Sequence, residues 1–109
     1  MPQLSTLVNN INDAQTVEEN VYKLRESLIK NYNRRGYSSE LEVTINKGRK
    51  YWKVITNNSV HCFVDVKNGD VYKAASWNKP AAIVRYNLLT NPEIVFERCD
   101  WAGGYLYIR

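Results

Sequence analysis

From Leu41 to Ala74 the apolar residues of this chain recur at every second position, in short runs broken by turn-forming residues. "LEVTI" sets Leu41, Val43 and Ile45 against Glu42 and Thr44, and "YWKVIT", "VHCFVDV" and "VYKA" follow. A period of two belongs to a strand with one buried face, because successive side chains point to opposite sides. The breaks are too short for parallel crossovers, so these runs are committed to antiparallel hairpins. "NKGRK" and "NNS" read as the first two turns. Asn68-Gly69 reads as the third, since a type I′ turn needs positive φ at both central residues and Asn-Gly supplies it.

The first 36 residues have a helical period instead. Leu4, Leu7, Val8 and Ile11 form one short segment. "TVEE" at 16–19 is a capping box, with Thr16 and Glu19 each able to satisfy the other's backbone N–H. Val17, Val21, Leu24, Leu28 and Tyr32 then fall on a single stripe, and Gly36 is placed to end the helix in the left-handed conformation. Beyond the meander, "NKPAAIVRYNLL" predicts a short helix over about 79–89, capped by Asn78 with Pro80 in its first turn. "TNP" stops it. "EIVFERC" and "YLYIR" are further strand candidates joined by "DWAGG". The expected architecture is α+β, with N-terminal helices packed on an antiparallel β-meander of five or six strands with a short inserted helix. It forms one domain over 1–109, helical in 1–36 and sheet-forming from 40.

Alternation sorts the sheet into two faces. A two-residue turn at Asn68-Gly69 pairs Val66 with Val71, Asp65 with Tyr72 and Phe63 with Ala74. A three-residue loop at "NNS" pairs Val54 with Cys62 and Trp52 with Val64; a two-residue loop there would invert the faces. Trp52, Val54, Cys62, Val64 and Val71 then form the core face. Tyr51, Lys53, His61, Phe63 and Tyr72 occupy the other, with Tyr105, Tyr107 and Arg109 added by the last strand. Rings interleaved with basic groups on an open sheet make a stacking platform for single-stranded nucleic acid. The same rings also suit a covered face or a protein contact.

Composition narrows the function classes. The net charge of +4 permits an acidic partner without demanding one, and eight Tyr and three Trp favour interfaces as well as cores. Cys62 and Cys99 are too far apart in sequence for a metal or redox motif and read as buried thiols in a reducing compartment. No signal peptide, membrane span, phosphate-binding loop or catalytic signature is present. His61 is the single histidine, with no spaced acid or second base to make it a catalyst, so neither an enzyme nor a cofactor or metal site is expected.

The segment "GDVYKAASWNKPA" (69–81), with Arg85, Asn87 and the later "GGYL" (103–106), resembles a group of small proteins of bacteriophages and some large DNA viruses. Their typical run is "D-[IV]-x-K-A-A-S-W-K-x-P-A" followed by "ARGN", with an end close to "GG-x-Y-L-R". Tyr86 stands here where that group has Gly. The resemblance covers the C-terminal half and not the helical start. It implies a phage or viral source, a place in the host cytoplasm and virion association, and no particular activity. Lys73, Lys79, Arg85 and Asn87 read as a polar cluster beside the aromatic face, while Trp77 reads as a plug at the core's edge. The expected function is that of a non-enzymatic viral accessory protein that binds a macromolecular partner through the aromatic and basic sheet face, with single-stranded nucleic acid the sharpest candidate. The alternative is a virion component or host-defence antagonist acting by protein contact, homo-oligomers included.

Overall fold

The computed structural model describes residues 4–107, with side chains from Ile11 onward. It is an α+β fold. Helix α1 (Leu4–Arg34) precedes five strands, β1 (Val43–Lys47), β2 (Tyr51–Thr56), β3 (Ser59–Asp65), β4 (Asp70–Ser76) and β5 (Lys79–Asn87). They form an antiparallel meander in the order β1-β2-β3-β4-β5. Helix α2 (Pro92–Arg98) and a 3₁₀ turn (Gly104–Leu106) complete the chain.

α1 is a single helix of 31 residues, so the expected break before Thr16 is corrected: Thr16 and Glu19 lie inside it. No Gly or Pro occurs between Leu4 and Arg34 to stop the helix. Its stripe is the expected one. Val17, Val21, Leu24 and Leu28 are fully buried and Tyr32 nearly so. Gly36 ends it at φ 75°. The stripe packs with Trp52, Val54, Cys62, Val64 and Val71 in one core that also takes Leu88, Val95 and Leu106. Asn20, buried in α1, donates to the Leu88 carbonyl at 2.6 Å, and Asn31 accepts from the Trp101 N–H at 3.1 Å.

Three elements differ from expectation. Residues 79–87 are strand β5, not a helix. β-branched Ile83 and Val84 suit a pleated surface, and Pro80 is tolerated because β5 is an edge strand. Residues 92–98 are helix α2, not a strand. Pro92 occupies its first turn, Glu93 lies near its N-terminus, Arg98 near its C-terminus, and Val95 enters the core. "TNP" therefore starts a helix rather than stopping one. Residues 104–106 are a 3₁₀ turn opened by Gly103 at φ 84°. The Asp100 carboxylate accepts from the Gly104 and Tyr105 N–H groups, each at 3.1 Å. In "WAGG" the Gly104 N–H thus has an internal anion, while the Trp101 N–H donates to Asn31 and the Gly103 N–H to the Asp100 carbonyl.

Register sets which side chains reach each face. Thr56 pairs with Ser59, so the β2–β3 turn holds only Asn57, at φ 53°, and Asn58. That loop alone would invert the faces. However, Ile55 pairs with Val60 and Val54 with Cys62, which leaves His61 as the extra residue of a β-bulge. The bulge restores the expected pairing of Val54 with Cys62 and Trp52 with Val64. The β3–β4 turn is longer than expected. Val64 pairs with Val71 and Phe63 with Tyr72, so residues 66–69 form the loop and Asn68 lacks positive φ. Asp65 causes this: its Oδ1 accepts from the Lys67 and Asn68 N–H groups, and its carbonyl accepts from Gly69. The register moves by two positions, an even number, so the face assignment survives.

Candidate nucleic-acid interface

Both helices pack on the core face, which leaves the opposite face of the sheet as the candidate surface. Tyr51 on β2, Phe63 on β3 and Tyr72 on β4 meet there. Tyr51 contacts Phe63 at 5.9 Å and Tyr72 at 5.8 Å between ring centroids, both edge to face. The Lys53 ammonium lies 5.8 Å from the Phe63 centroid and that of Lys50 5.4 Å from the Tyr51 centroid. Phe63 is buried beneath these neighbours, while Tyr51, Lys53 and Tyr72 are half-buried. Partial desolvation, with Asp70, Tyr51 and Asp65 nearby, raises the Tyr72 phenol above its ordinary value against a smaller opposing effect from Lys50.

The positive side is at the β1–β2 turn, which the sequence reading passed over as a connector. Lys47, Arg49 and Lys50 are exposed there. With Lys53, Tyr51 and Phe63 they line a cleft of about 280 Å³, and of the three Lys47 pairs with Trp52 and holds its ammonium over that core-face ring at 5.3 Å. A second cleft, of about 290 Å³, joins Arg49 and Lys50 to Lys67, with Asp65 also in its lining. Among the described residues the one ion pair is Arg25–Glu26, so none of these cations is neutralised by a carboxylate contact. Three cations in the five residues "KGRK-Y" next to an alternating strand were the available signal. Trp77 was also missed as a surface residue. It sits in the two-residue β4–β5 turn, half exposed, and becomes legible only once 79–87 is a strand.

The other expected site residues lie elsewhere. The bulge turns His61 away from Tyr51 and Phe63 to the core side, where its Nε2 is 2.7 Å from the Tyr105 hydroxyl. Tyr105 stacks against Tyr86, whose hydroxyl donates to the Tyr105 carbonyl. Lys73 pairs with Cys62 on the core side, and its ammonium lies over the Tyr107 ring at 4.7 Å. Arg85 donates to the Leu106 and Ile83 carbonyls. His61, Lys73, Arg85, Tyr105 and Tyr107 therefore dock the C-terminal segment rather than join the aromatic face. Asn87 is a structural bracket. Its Nδ2 donates to the Asn68 carbonyl and Asp70 Oδ1, and its Oδ1 accepts from the Leu89 and Thr90 N–H groups. Lys79 is exposed at the start of β5, and Arg109 lies outside the described residues.

Burial pushes His61 down to about 4, against smaller opposing effects from Asp100 and the Trp101 backbone, and pushes Tyr105 well above its ordinary range. The neutral imidazole thus faces a protonated phenol, so the Tyr105 O–H donates to Nε2. The unfolded imidazole takes up a proton near pH 6.5 and the folded one only near 4. Between those values the unfolded chain binds more protons, so stability falls as pH drops through that window, by roughly 3 kcal/mol in all. Thermal melts of wild type against His61→Phe are expected to show this slope in the wild type alone. Equal slopes in both would refute it. Cys62 and Cys99 are free and buried, their thiols raised chiefly by desolvation.

Among the described residues no trio of His, Cys, Asp or Glu is grouped to hold a metal, and no helix is long and apolar enough to cross a membrane. The fold and surface define a small α+β sheet protein, helix-covered on one face and aromatic and basic on the other. Residues 4–108 match the profile of DUF7717, a family of unknown function, and the chain belongs to that family. No curated protein and no solved structure matches it.

Proposed function

We propose that this protein binds single-stranded nucleic acid through the outer face of its sheet, without catalysis. The observation that carries this reading is the set of Lys47, Arg49, Lys50 and Lys53 around the cleft that also exposes Tyr51, with no carboxylate pairing them among the described residues. Cations follow the phosphates and rings accept the bases, which is how sheet surfaces bind single strands without reading sequence. Unpaired strand is favoured over duplex because only its bases offer free faces to a ring. The resemblance of 69–81 to phage and viral proteins adds to the proposal a viral source and a role in the infected cell.

Fluorescence anisotropy with labelled single- and double-stranded oligonucleotides tests it. Single strands are expected to bind more tightly than duplex. Affinity should fall with salt at a log–log slope of about 2, corresponding to about three neutralised phosphates. Absence of binding at low salt would sink the proposal.

Protein contact is the second reading. Ile83 and Val84 are exposed on edge strand β5, whose outer backbone is free to pair. Pro80 and the Arg85 contact to the Ile83 carbonyl partly close that edge. A defined oligomer in light scattering, lost on Ile83→Lys, would favour this reading over the first.

A further inference from the structure

Within the nucleic-acid reading, on which this inference rests, we propose that Trp77 is the ring that stacks on an unpaired base and that Lys53 positions it. The β4–β5 ladder shifts register at three places, between Val71 and Tyr72, Tyr72 and Ala74, and Ala74 and Ser76. Such irregularities bend and twist a hairpin. The two-residue tip, Trp77-Asn78, thereby comes to lie over β2. Asn78 Oδ1 accepts from the Lys53 ammonium at 3.1 Å, and the same ammonium is 5.0 Å from the Trp77 ring centroid and 5.8 Å from that of Phe63. Lys53 is thus held between two rings and tied to the amide beside one of them. A cation so engaged organises the tip and is not free to follow a phosphate, unlike Arg49 and Lys50, whose side chains make no hydrogen bond among the described residues.

The remaining rings are poorer stacking surfaces. Tyr51, Phe63 and Tyr72 contact one another edge to face, and Phe63 is 3% exposed. Asp70 and Asp65 stand near Tyr72 and repel a phosphate backbone there. Trp77 is 50% exposed and lies on the side away from those acids, over Lys53. A strand entering from the β1–β2 turn passes Tyr51, whose cross-strand partner is Asp65, and meets no further carboxylate at Lys53, whose cross-strand partner is Phe63. Indole is also the largest π-surface available to a base, and stacking on one aromatic residue contributes about 1–3 kcal/mol per base.

Salt dependence separates the two roles, because a phosphate contact contributes to the slope and a positioning residue does not. Wild type, Trp77→Ala, Trp77→Phe, Lys53→Met and Lys53→Arg are titrated with a short oligo(dT) at several salt concentrations. Trp77→Ala is expected to weaken binding about tenfold or more with an unchanged slope, and Trp77→Phe to weaken it less. Lys53→Met should weaken binding with the slope again unchanged, and Lys53→Arg should restore most of the loss by keeping the cation and a donor for Asn78. Trp77 is exposed, so its substitution leaves the core intact, and circular dichroism checks this. A slope smaller by about 0.7 in Lys53→Met makes Lys53 a phosphate contact and overturns its positioning role. Wild-type affinity in Trp77→Ala overturns the inference alone. Failure of the wild type to bind any single strand overturns the nucleic-acid reading and this inference with it.

Discussion

Replacing Lys47, Arg49 and Lys50 together by Glu is expected to abolish measurable binding of single-stranded oligonucleotides while leaving the melting temperature close to that of the wild type. All three side chains are exposed at the β1–β2 turn and none lies in an ion pair. The folded state therefore loses little when they go. Binding loses a phosphate contact at each position and gains a repulsion. Three exposed charge contacts at up to about 1 kcal/mol each already amount to about 100-fold, and reversal adds to that. The corresponding Ala variant separates the two effects: its residual binding should show a salt slope smaller by about 2 than the wild type. Lys30→Glu, on α1, is the control. An unchanged affinity in the Glu variant would move the interface away from this turn.

The second large effect is on stability, where "KNGD" meets "RYNLLT". Gly69 has φ 80°, and a Cβ there would sit 2.8 Å from the backbone N of Leu89, with the Gly69 carbonyl accepting from Leu88 N–H at 2.8 Å. Backbone cannot swing aside as a flexible side chain can. Gly69→Ala combines a left-handed penalty of roughly 1–2 kcal/mol with an overpacking penalty of roughly 1–3 kcal/mol. A total of about 2–5 kcal/mol lowers the melting temperature by on the order of 10–20 °C. Asn87 holds the other half of this junction with four hydrogen bonds, and Asn87→Ala is expected to destabilise by about 2–3 kcal/mol. Asn87→Asp keeps the two acceptor contacts but places a carboxylate where Nδ2 lies 2.8 Å from Asp70 Oδ1. Two like charges there raise a carboxyl pKa, so this variant loses stability as pH rises and recovers part of it in acid. Calorimetry across pH checks the sign. A Gly69→Ala protein that melts like the wild type would mean that the β3–β4 loop does not pack against 88–89.

Asn87 and Gly69 also show what the motif between them specifies. The resemblance that singled out "GDVYKAASWNKPA" with Arg85 and Asn87 pointed to a polar cluster beside the aromatic face. In the folded chain those residues perform different tasks: Asn87 clamps the β3–β4 loop, Arg85 holds the C-terminal segment, and Lys73 lies over Tyr107. Tyr72 reaches the outer face against Tyr51, and Trp77 and Asn78 reach it through Lys53. Much of that text is therefore a description of the junctions around β4 and β5.

What was legible in the amino-acid sequence by itself is what depends on local period. The stripe Val17–Tyr32 and the alternation of 41–66 each repeat often enough to indicate which side chains turn toward the core. The sorting of Trp52, Val54, Cys62, Val64 and Val71 from Tyr51, Phe63 and Tyr72 follows from that period alone. It survived both a shorter turn and a longer one, because a bulge compensated the first and the second moved the register by an even step. Only contacts across the fold decided the rest. "AAIVRY" and "EIVFER" are short apolar runs without enough repeats to reveal a period. The first became a strand because β4 offered a free edge, and the second a helix because the core needed Val95 beside α1. His61 left the working face through one extra residue in β3, and Tyr105 followed it to the core side. The cations at 47–50 were visible as letters, but their juxtaposition with Tyr51, Phe63 and Trp77 exists only after four strands have paired. Local periodicity determines which face most side chains of an element take; long-range pairing determines which elements, and which charges, come together.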